Sequence, residues 1–290
     1  MAILFLFSCS KRNKEKPLFR FLPSTITKID FINQIEETNE INILEYLYMY
    51  NGGGVAIGDI NNDGLPDIYF SSNQNSNKLY LNKGAFKFED VTEKANVQGD
   101  TGLTSWTTGV TMVDINQDGW LDIYVCQLHG YKELKGYNKL FVNNADGTFT
   151  EKASEYGLDV SSYSQQAAFF DYDLDGDLDM YLLNQAVHTP NAYKKGELRK
   201  VRDSMTGDRL YKNNSGKFSD VSEEAGIYGG SMGYGLAMNI TDLNNDGFPD
   251  IYVSNDFHEN DYLYYNQGNG KFKEDIVGSM GHTSKFSMGN

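Results

Sequence analysis

The chain has 290 residues, with 25 Lys and Arg against 40 Asp and Glu, a formal net charge of −15. That balance repels phosphate and excludes nucleic acid as a partner, while 40% hydrophobic and 13% aromatic residues are too many for a disordered chain and enough for a real core. Two cysteines, Cys9 and Cys126, exclude a disulfide framework and a cysteine-built zinc site.

The first element in chain order is an apolar run, Ala2 to Phe7, which passes through Ser8 into Cys9 and a polar, basic stretch from Ser10 to Lys16. It is much shorter than the ~20 residues of a bilayer crossing. The run resembles a bacterial lipoprotein signal, which implies that residues 1–8 are cleaved, Cys9 is lipidated and residues 9–23 form a tether. The expected protein is anchored to a membrane and does not span it. It departs from the usual signal at Phe7, which is bulky where a small or branched residue is common. Residues 24–50 read as a lead-in segment, expected to supply a strand and one helical turn against the first repeat.

Four copies of one phrase follow: GDINNDGLPDIYF (58–70), VDINQDGWLDIYV (113–125), FDYDLDGDLDMYL (170–182) and TDLNNDGFPDIYV (241–253). Their first aspartates, Asp59, Asp114, Asp171 and Asp242, lie 55, 57 and 71 residues apart, the last interval lengthened by a polar, basic insertion from about His188 to Thr206. Each acidic loop sits between two β-type runs. A third run comes after a turn (77–82, 138–143, 208–213, 261–266), then a Gly-containing turn and a Phe that opens a short fourth strand. No unit contains a 3.6-residue apolar stripe, which excludes a helical solenoid. The fold class is therefore all-β, a β-propeller with about four four-stranded blades near 51–105, 106–162, 163–229 and 230–290. Residues 282–290 resemble the approach to a further acidic loop, so the expected ring is larger than these four blades.

The acidic loops carry the chemistry. Side-chain oxygens fall at relative positions 1, 3, 5 and 9, glycine at 6, and a backbone carbonyl is available at 7. The first loop offers Asp59, Asn61, Asp63 and Asp67, with the carbonyl of Leu65; the second Asp114, Asn116, Asp118 and Asp122, with Trp120; the third Asp171, Asp173, Asp175 and Asp179, with Asp177; the fourth Asp242, Asn244, Asp246 and Asp250, with Phe248. Calcium wants six to eight hard oxygens at ~2.3–2.6 Å, and alternate residues of a tight loop point theirs inward. Packing three carboxylates together without a cation costs several kcal/mol in repulsion and desolvation. The start resembles an EF-hand loop, but position 12 of the first loop is Phe70 and the flanks are β-type. One such loop is an ordinary Asp/Asn/Gly turn; four with one spacing imply about four Ca²⁺, one per loop.

These loops resemble the FG-GAP/VCBS repeats of integrin-α-like β-propellers. The phrases YNGGGVAIGDINNDGLPDIYF, FFDYDLDGDLDMYLLN, DIYVSNDFHENDYLYYNQGNGKF and HTSKFSMGN are similar to the bacterial envelope proteins, common in Bacteroidetes, that join VCBS repeats to a C-terminal ASPIC/UnbV domain and have cartilage acidic protein as an animal relative. The resemblance covers roughly residues 24–290. It implies a seven-bladed, calcium-stabilised ring in the complete protein and an outer-membrane lipoprotein in the bacterial envelope. The literal Phe-Gly and Gly-Ala-Pro elements are not present, so integrin-style ligand recognition does not carry over.

Outside the loops the chemistry is sparse. His129, His188, His258 and His282 form no metal-spaced pair, and His258 reads as a loop residue. Cys126 ends a strand and reads as a small buried hydrophobe. Lys194, Lys195, Arg199, Lys200 and Arg202 make the insertion basic and read as a solvated surface loop. No nucleophile elbow, phosphate loop or kinase signature occurs. The expectation is a non-catalytic binding or scaffold module with a protein or glycan ligand. The rival is a calcium-dependent polysaccharide lyase or hydrolase, marked by a Lys/Arg/Tyr or paired-carboxylate cluster away from the loops.

Overall fold

The computed structural model describes residues 17–187 and 196–289. Cys9, with the signal and most of the tether, and His188, Lys194 and Lys195 of the insertion lie outside the described residues.

Among the described residues, sixteen strands form four antiparallel sheets of four, each a simple meander. Blade 1 comprises β1 (Val55–Gly58), β2 (Asp67–Phe70), β3 (Lys78–Asn82) and β4 (Phe88–Asp90). Blade 2 comprises β5 (Thr107–Val113), β6 (Asp122–Gln127), β7 (Lys139–Asn143) and β8 (Phe149–Glu151). Blade 3 comprises β9 (Ser164–Phe170), β10 (Asp179–Asn184), β11 (Arg209–Asn213) and β12 (Phe218–Asp220); blade 4 comprises β13 (Gly235–Thr241), β14 (Asp250–Asn255), β15 (Tyr262–Asn266) and β16 (Phe272–Glu274). The first strands touch in succession, β1 on β5, β5 on β9 and β9 on β13, so the blades stand side by side in an arc. This is the expected all-β propeller architecture.

The two-residue period of the strands stacks the blades. In β6, Ile123 and Val125 point into the core shared with blade 1, while Tyr124 and Cys126 point into the core shared with blade 3. In β10, Met180 and Leu182 face blade 2, and Tyr181 and Leu183 face blade 4. A strand buried on both faces has no polar side to spare, which is why β6 and β10 are buried along their whole length.

The fourth strands are followed by single helical turns, α2 (Thr92–Ala95), α3 (Ala153–Tyr156), α4 (Ser222–Ala225) and α5 (Ile276–Ser279). The first three end on a left-handed residue, Asn96, Gly157 or Gly226. Turns of four residues are too short to show a helical period, and the sequence reading does not contain them. None of the described helices is long and apolar enough to cross a membrane.

The lead-in segment is more than an addition to blade 1. It holds the expected helical turn, α1 (Ser24–Thr27), but no strand among its described residues. Phe31 stacks on Phe70 of β2 at 4.8 Å, Asp30 accepts from the Tyr80 hydroxyl at 2.8 Å, and Asn33 accepts from Ser72 and Asn73. Side chains, not a β-ladder, hold this stretch. The chain then crosses the arc. Tyr46 and Met49 are buried with Trp106, Leu128 and Leu134 of the blade 2 region, and the Tyr48 hydroxyl donates to Asp256 after β14 at 2.9 Å.

Candidate metal sites

The acidic loops join the first and second strands of every blade, and their backbones follow one path. Position 1 accepts twice: Asp59 Oδ1 from the Asp63 amide at 3.1 Å and Oδ2 from Gly64 at 2.7 Å, with the same pair of bonds at Asp114, Asp171 and Asp242. Positions 4 and 6 have positive φ. Gly64, Gly119, Gly176 and Gly247 at position 6 lie at 84–97°, where a Cβ is strained; this is the physical demand behind the glycine. Asn62, Gln117, Leu174 and Asn245 at position 4 lie at 56–60°. Neighbouring loops touch: the Asn62 side chain donates to the Gly119 carbonyl at 3.0 Å, and Gln117 to the Gly176 carbonyl at 2.7 Å. The first three loops therefore form a row on one rim of the arc.

Position 9 has a second duty that spacing does not reveal. Asp67, Asp122, Asp179 and Asp250 are fully buried, and each accepts one amide from its own loop and one from the end of the third strand. For Asp122 the donors are Ile115 at 3.1 Å and Asn143 at 2.8 Å; for Asp179, Tyr172 at 3.2 Å and Asn213 at 2.8 Å. Asp67 and Asp250 repeat the pattern with Ile60 and Asn82, and with Leu243 and Asn266. Burial pushes Asp122 up to about 6 and Asp179 up to about 7, against the lowering effect of those amides. Metal-free, these carboxyls resist ionisation because water is gone and further acids stand close.

The donor set fits a hard cation. One oxygen each of Asp171, Asp173 and Asp179 lies within 4.8 Å of the others. Asp173 Oδ1 and Asp177 Oδ1 are buried without a hydrogen-bond partner, a costly state that a bound cation would relieve. In the other three loops position 3 is Asn61, Asn116 or Asn244, so the same place offers an amide oxygen. The Asn Nδ2 donates to the position-5 carboxylate there, at 3.1 Å onto Asp63, 2.9 Å onto Asp118 and 2.8 Å onto Asp246. The position-7 residues Leu65, Trp120 and Phe248 each donate their amide to position 5. Among the described residues, the third loop alone brings three carboxylates this close together. The third loop adds a residue that the sequence reading did not single out, Lys212 of β11, whose Nζ pairs with Asp173 and Asp175. The two partners lie 39 and 37 positions away in sequence, too far for any local pattern.

Elsewhere the structure revises part of the reading of the insertion. Lys200 and Arg202 are exposed, as expected of a surface loop, but Arg199 is half-buried and both arginines are tied down. Arg199 Nε pairs at 2.9 Å with Glu259 Oε1, a side chain only 1% exposed. Arg202 donates to the Ile227 carbonyl at 2.9 Å and to the Asp208 carbonyl at 3.3 Å. Cys126 is buried, and burial pushes its thiol far above the ordinary range, as befits packing and not nucleophilic chemistry. A cavity of about 240 Å³ lies beside Asp100, Tyr137, Lys139 and Glu151. Its ammonium is engaged: Lys139 pairs with Asp100 at 3.1 Å and sits 4.1 Å above the Tyr137 ring.

A family model described as FG-GAP-like repeat matches residues 59–125, 131–182 and 242–288, more than half of the chain and all four acidic loops. Cartilage acidic protein 1 of Xenopus tropicalis is 29% identical over 212 residues, which cover 72% of this chain and 29% of that protein. Integrin alpha-8 of Gallus gallus is 29% identical over 151 residues, 47% of this chain and 14% of that protein. The chain thus spans less than a third of the length of these relatives. A solved structure of an Agrocybe aegerita lectin, described by its recognition of non-reducing terminal N-acetylglucosamine, aligns at 19% identity over 76% of this chain and 51% of that one. Its TM-score of 0.42 is too low to carry an argument.

Proposed function

The chain belongs to the FG-GAP-like repeat proteins, and from that premise we propose a non-catalytic binding and scaffold module with one calcium ion in each of its four acidic loops, held at a bacterial envelope by a lipid on Cys9. One observation carries the metal reading: the same oxygen-lined loop recurs between the first and second strands of all four blades. Calcium, when bound, supplies the charge that offsets the three to five carboxylates of each loop and fixes their oxygen donors. The chain's own part is to present those oxygens. Position 1 braces the turn, position 6 lets it reverse, and position 9 ties it to the third strand. A loop locked in this way fixes the start of the second strand, on whose two faces the inter-blade cores are built.

A binding role is supported by membership of a repeat family whose relatives include an integrin α chain. The ligand class we propose is protein or glycan, since a surface of net charge −15 disfavours polyanions. The lipid anchor rests on the apolar-to-Cys-to-polar order of residues 2–16. Two experiments test the proposal. Calorimetric titration of metal-free protein with Ca²⁺ should show about four ions, and excess EDTA should lower the melting temperature by many degrees; no heat and an unchanged melt would refute it. Cys9→Ala should move the protein from the membrane to the soluble fraction of the expressing cell, and unchanged membrane association would refute the anchor.

A further inference from the structure

The four loops differ in charge. Loops 1, 2 and 4 have carboxylates at positions 1, 5 and 9, whereas the third has them at 1, 3, 5, 7 and 9, through Asp173 and Asp177. Five acids share a space that elsewhere holds three. In the other loops an Asn at position 3 donates its amide to the outer oxygen of position 5. Asp173 has no such donor to give. Lys212 supplies it instead: its Nζ lies 3.1 Å from Asp175 Oδ2, the oxygen that in the other loops faces the Asn amide, and also pairs with Asp173 Oδ2. The homologous residues of the other third strands are Leu81, Val142 and Tyr265, none of them a cation. Hydrogen bonding to Lys212 holds Asp175 below the usual carboxylate range.

We infer that Lys212 is a tethered counter-cation of the third loop, which shapes that loop in metal-free protein and competes there with the calcium ion. The inference rests on the calcium reading above. Two consequences follow. The third loop binds calcium more weakly than its five carboxylates alone would, because an entering ion meets a positive charge already bound to two of its ligands. The same loop keeps part of its shape when calcium leaves, because its positions 3 and 5 retain a cationic partner.

The test compares wild type, Lys212→Met and Lys212→Arg, with Ca²⁺ as the probe in calorimetry and with melting in EDTA. Lys212→Met keeps the aliphatic stem and removes the charge. It should tighten one calcium constant, that of the third loop, about tenfold, the scale of one unit charge a few ångströms from the ion in a well-solvated, screened site, and should lower the melting temperature in EDTA below that of wild type. Lys212→Arg should behave as wild type. Adding Asp171→Asn to Lys212→Met should abolish the tightened site, which assigns it to the third loop. If wild type binds calcium but Lys212→Met tightens no calcium constant and leaves the EDTA melt unchanged, Lys212 is not a counter-cation and the inference is overturned. If no variant binds calcium, the calcium reading fails, and with it the competition; an unchanged EDTA melt would then also overturn the shaping role.

Discussion

Blades 2 and 3 follow one backbone plan and satisfy its buried polar groups with different chemistry. In blade 2, Asn116 donates to Asp118 in the loop. At the far end of the second strand, Asn138 accepts from the Gln127 amide at 2.8 Å and donates to the Tyr124 hydroxyl, which in turn donates to the Leu158 carbonyl. Blade 3 exchanges both amides for carboxylates. Asp173 replaces Asn116, and Lys212 arrives to bind it. Asp208 replaces Asn138 and accepts from the Asn184 amide and the Tyr181 hydroxyl, both at 2.9 Å. The carbonyl of Ile227, the counterpart of Leu158, is taken by Arg202 from the insertion. In blade 3 the hydroxyl thus turns to the carboxylate, and a guanidinium takes the carbonyl that the hydroxyl uses in blade 2. A repeat tolerates a charge in place of an amide when its compensating group reaches it from elsewhere in the fold, because an unmatched polar group at such a site is expensive.

The largest expected effect lies where the two blades agree. Asp122 and Asp179 each accept two backbone amides, so Asp122→Ala and Asp179→Ala should each cost ~2–5 kcal/mol by leaving those donors unmatched. Melting in EDTA isolates this cost from any metal effect. A near-wild-type melt for either variant would break the equivalence of the two pins.

Where the blades differ, pH should separate them. Burial pushes the Asp208 carboxyl up to about 7, with the Asn184 amide, the Tyr181 hydroxyl and the Arg202 charge pulling the other way. Folded protein then keeps a proton that the unfolded chain releases near pH ~4. The stabilisation is full below that pH and is lost as the pH rises to about 7. Asp208→Asn, which installs the residue of blade 2, should flatten the fall in melting temperature between pH 4 and 7. Parallel curves for variant and wild type would remove Asp208 as its source.

A smaller difference sharpens the comparison. The amide of Leu210 donates to Ser222 Oγ at 2.9 Å, whereas its blade 2 counterpart, the amide of Leu140, uses Glu151 Oε1 at 3.3 Å because Ala153 has no hydroxyl. Ser222→Ala should therefore cost ~1 kcal/mol, measured by urea unfolding. Adding Asp220→Glu, which copies Glu151, should restore most of it; no loss in the single variant or no recovery in the double would refute the exchange.

Much of the fold and of the candidate site is legible in the chain. Strands such as 122–127 and 179–184 are written in their own composition, and the recurrence of Asp, Asn and Gly at fixed offsets identifies the loops before any coordinate is known. The same reading misses the helical turn at Thr92–Ala95, which is one turn long and has no period to detect. It expects a strand in residues 24–50 where Asn33 and Phe31 dock by side chains alone. It does not foresee the partners of Arg199 and Arg202, because Glu259 and the Ile227 carbonyl lie 60 and 25 positions away.

The sequence by itself determined the β class, the repeat and the oxygen-rich bends, because strand alternation and turn geometry depend on residues a few positions apart. Only the tertiary structure decided that each position-9 aspartate is a buried tie between loop and third strand, that Tyr48 reaches Asp256 across the arc, and that Lys212 stands over the most acidic loop. Those pairings depend on sheet register and on the stacking of one blade against the next, and a separation along the chain carries no record of either.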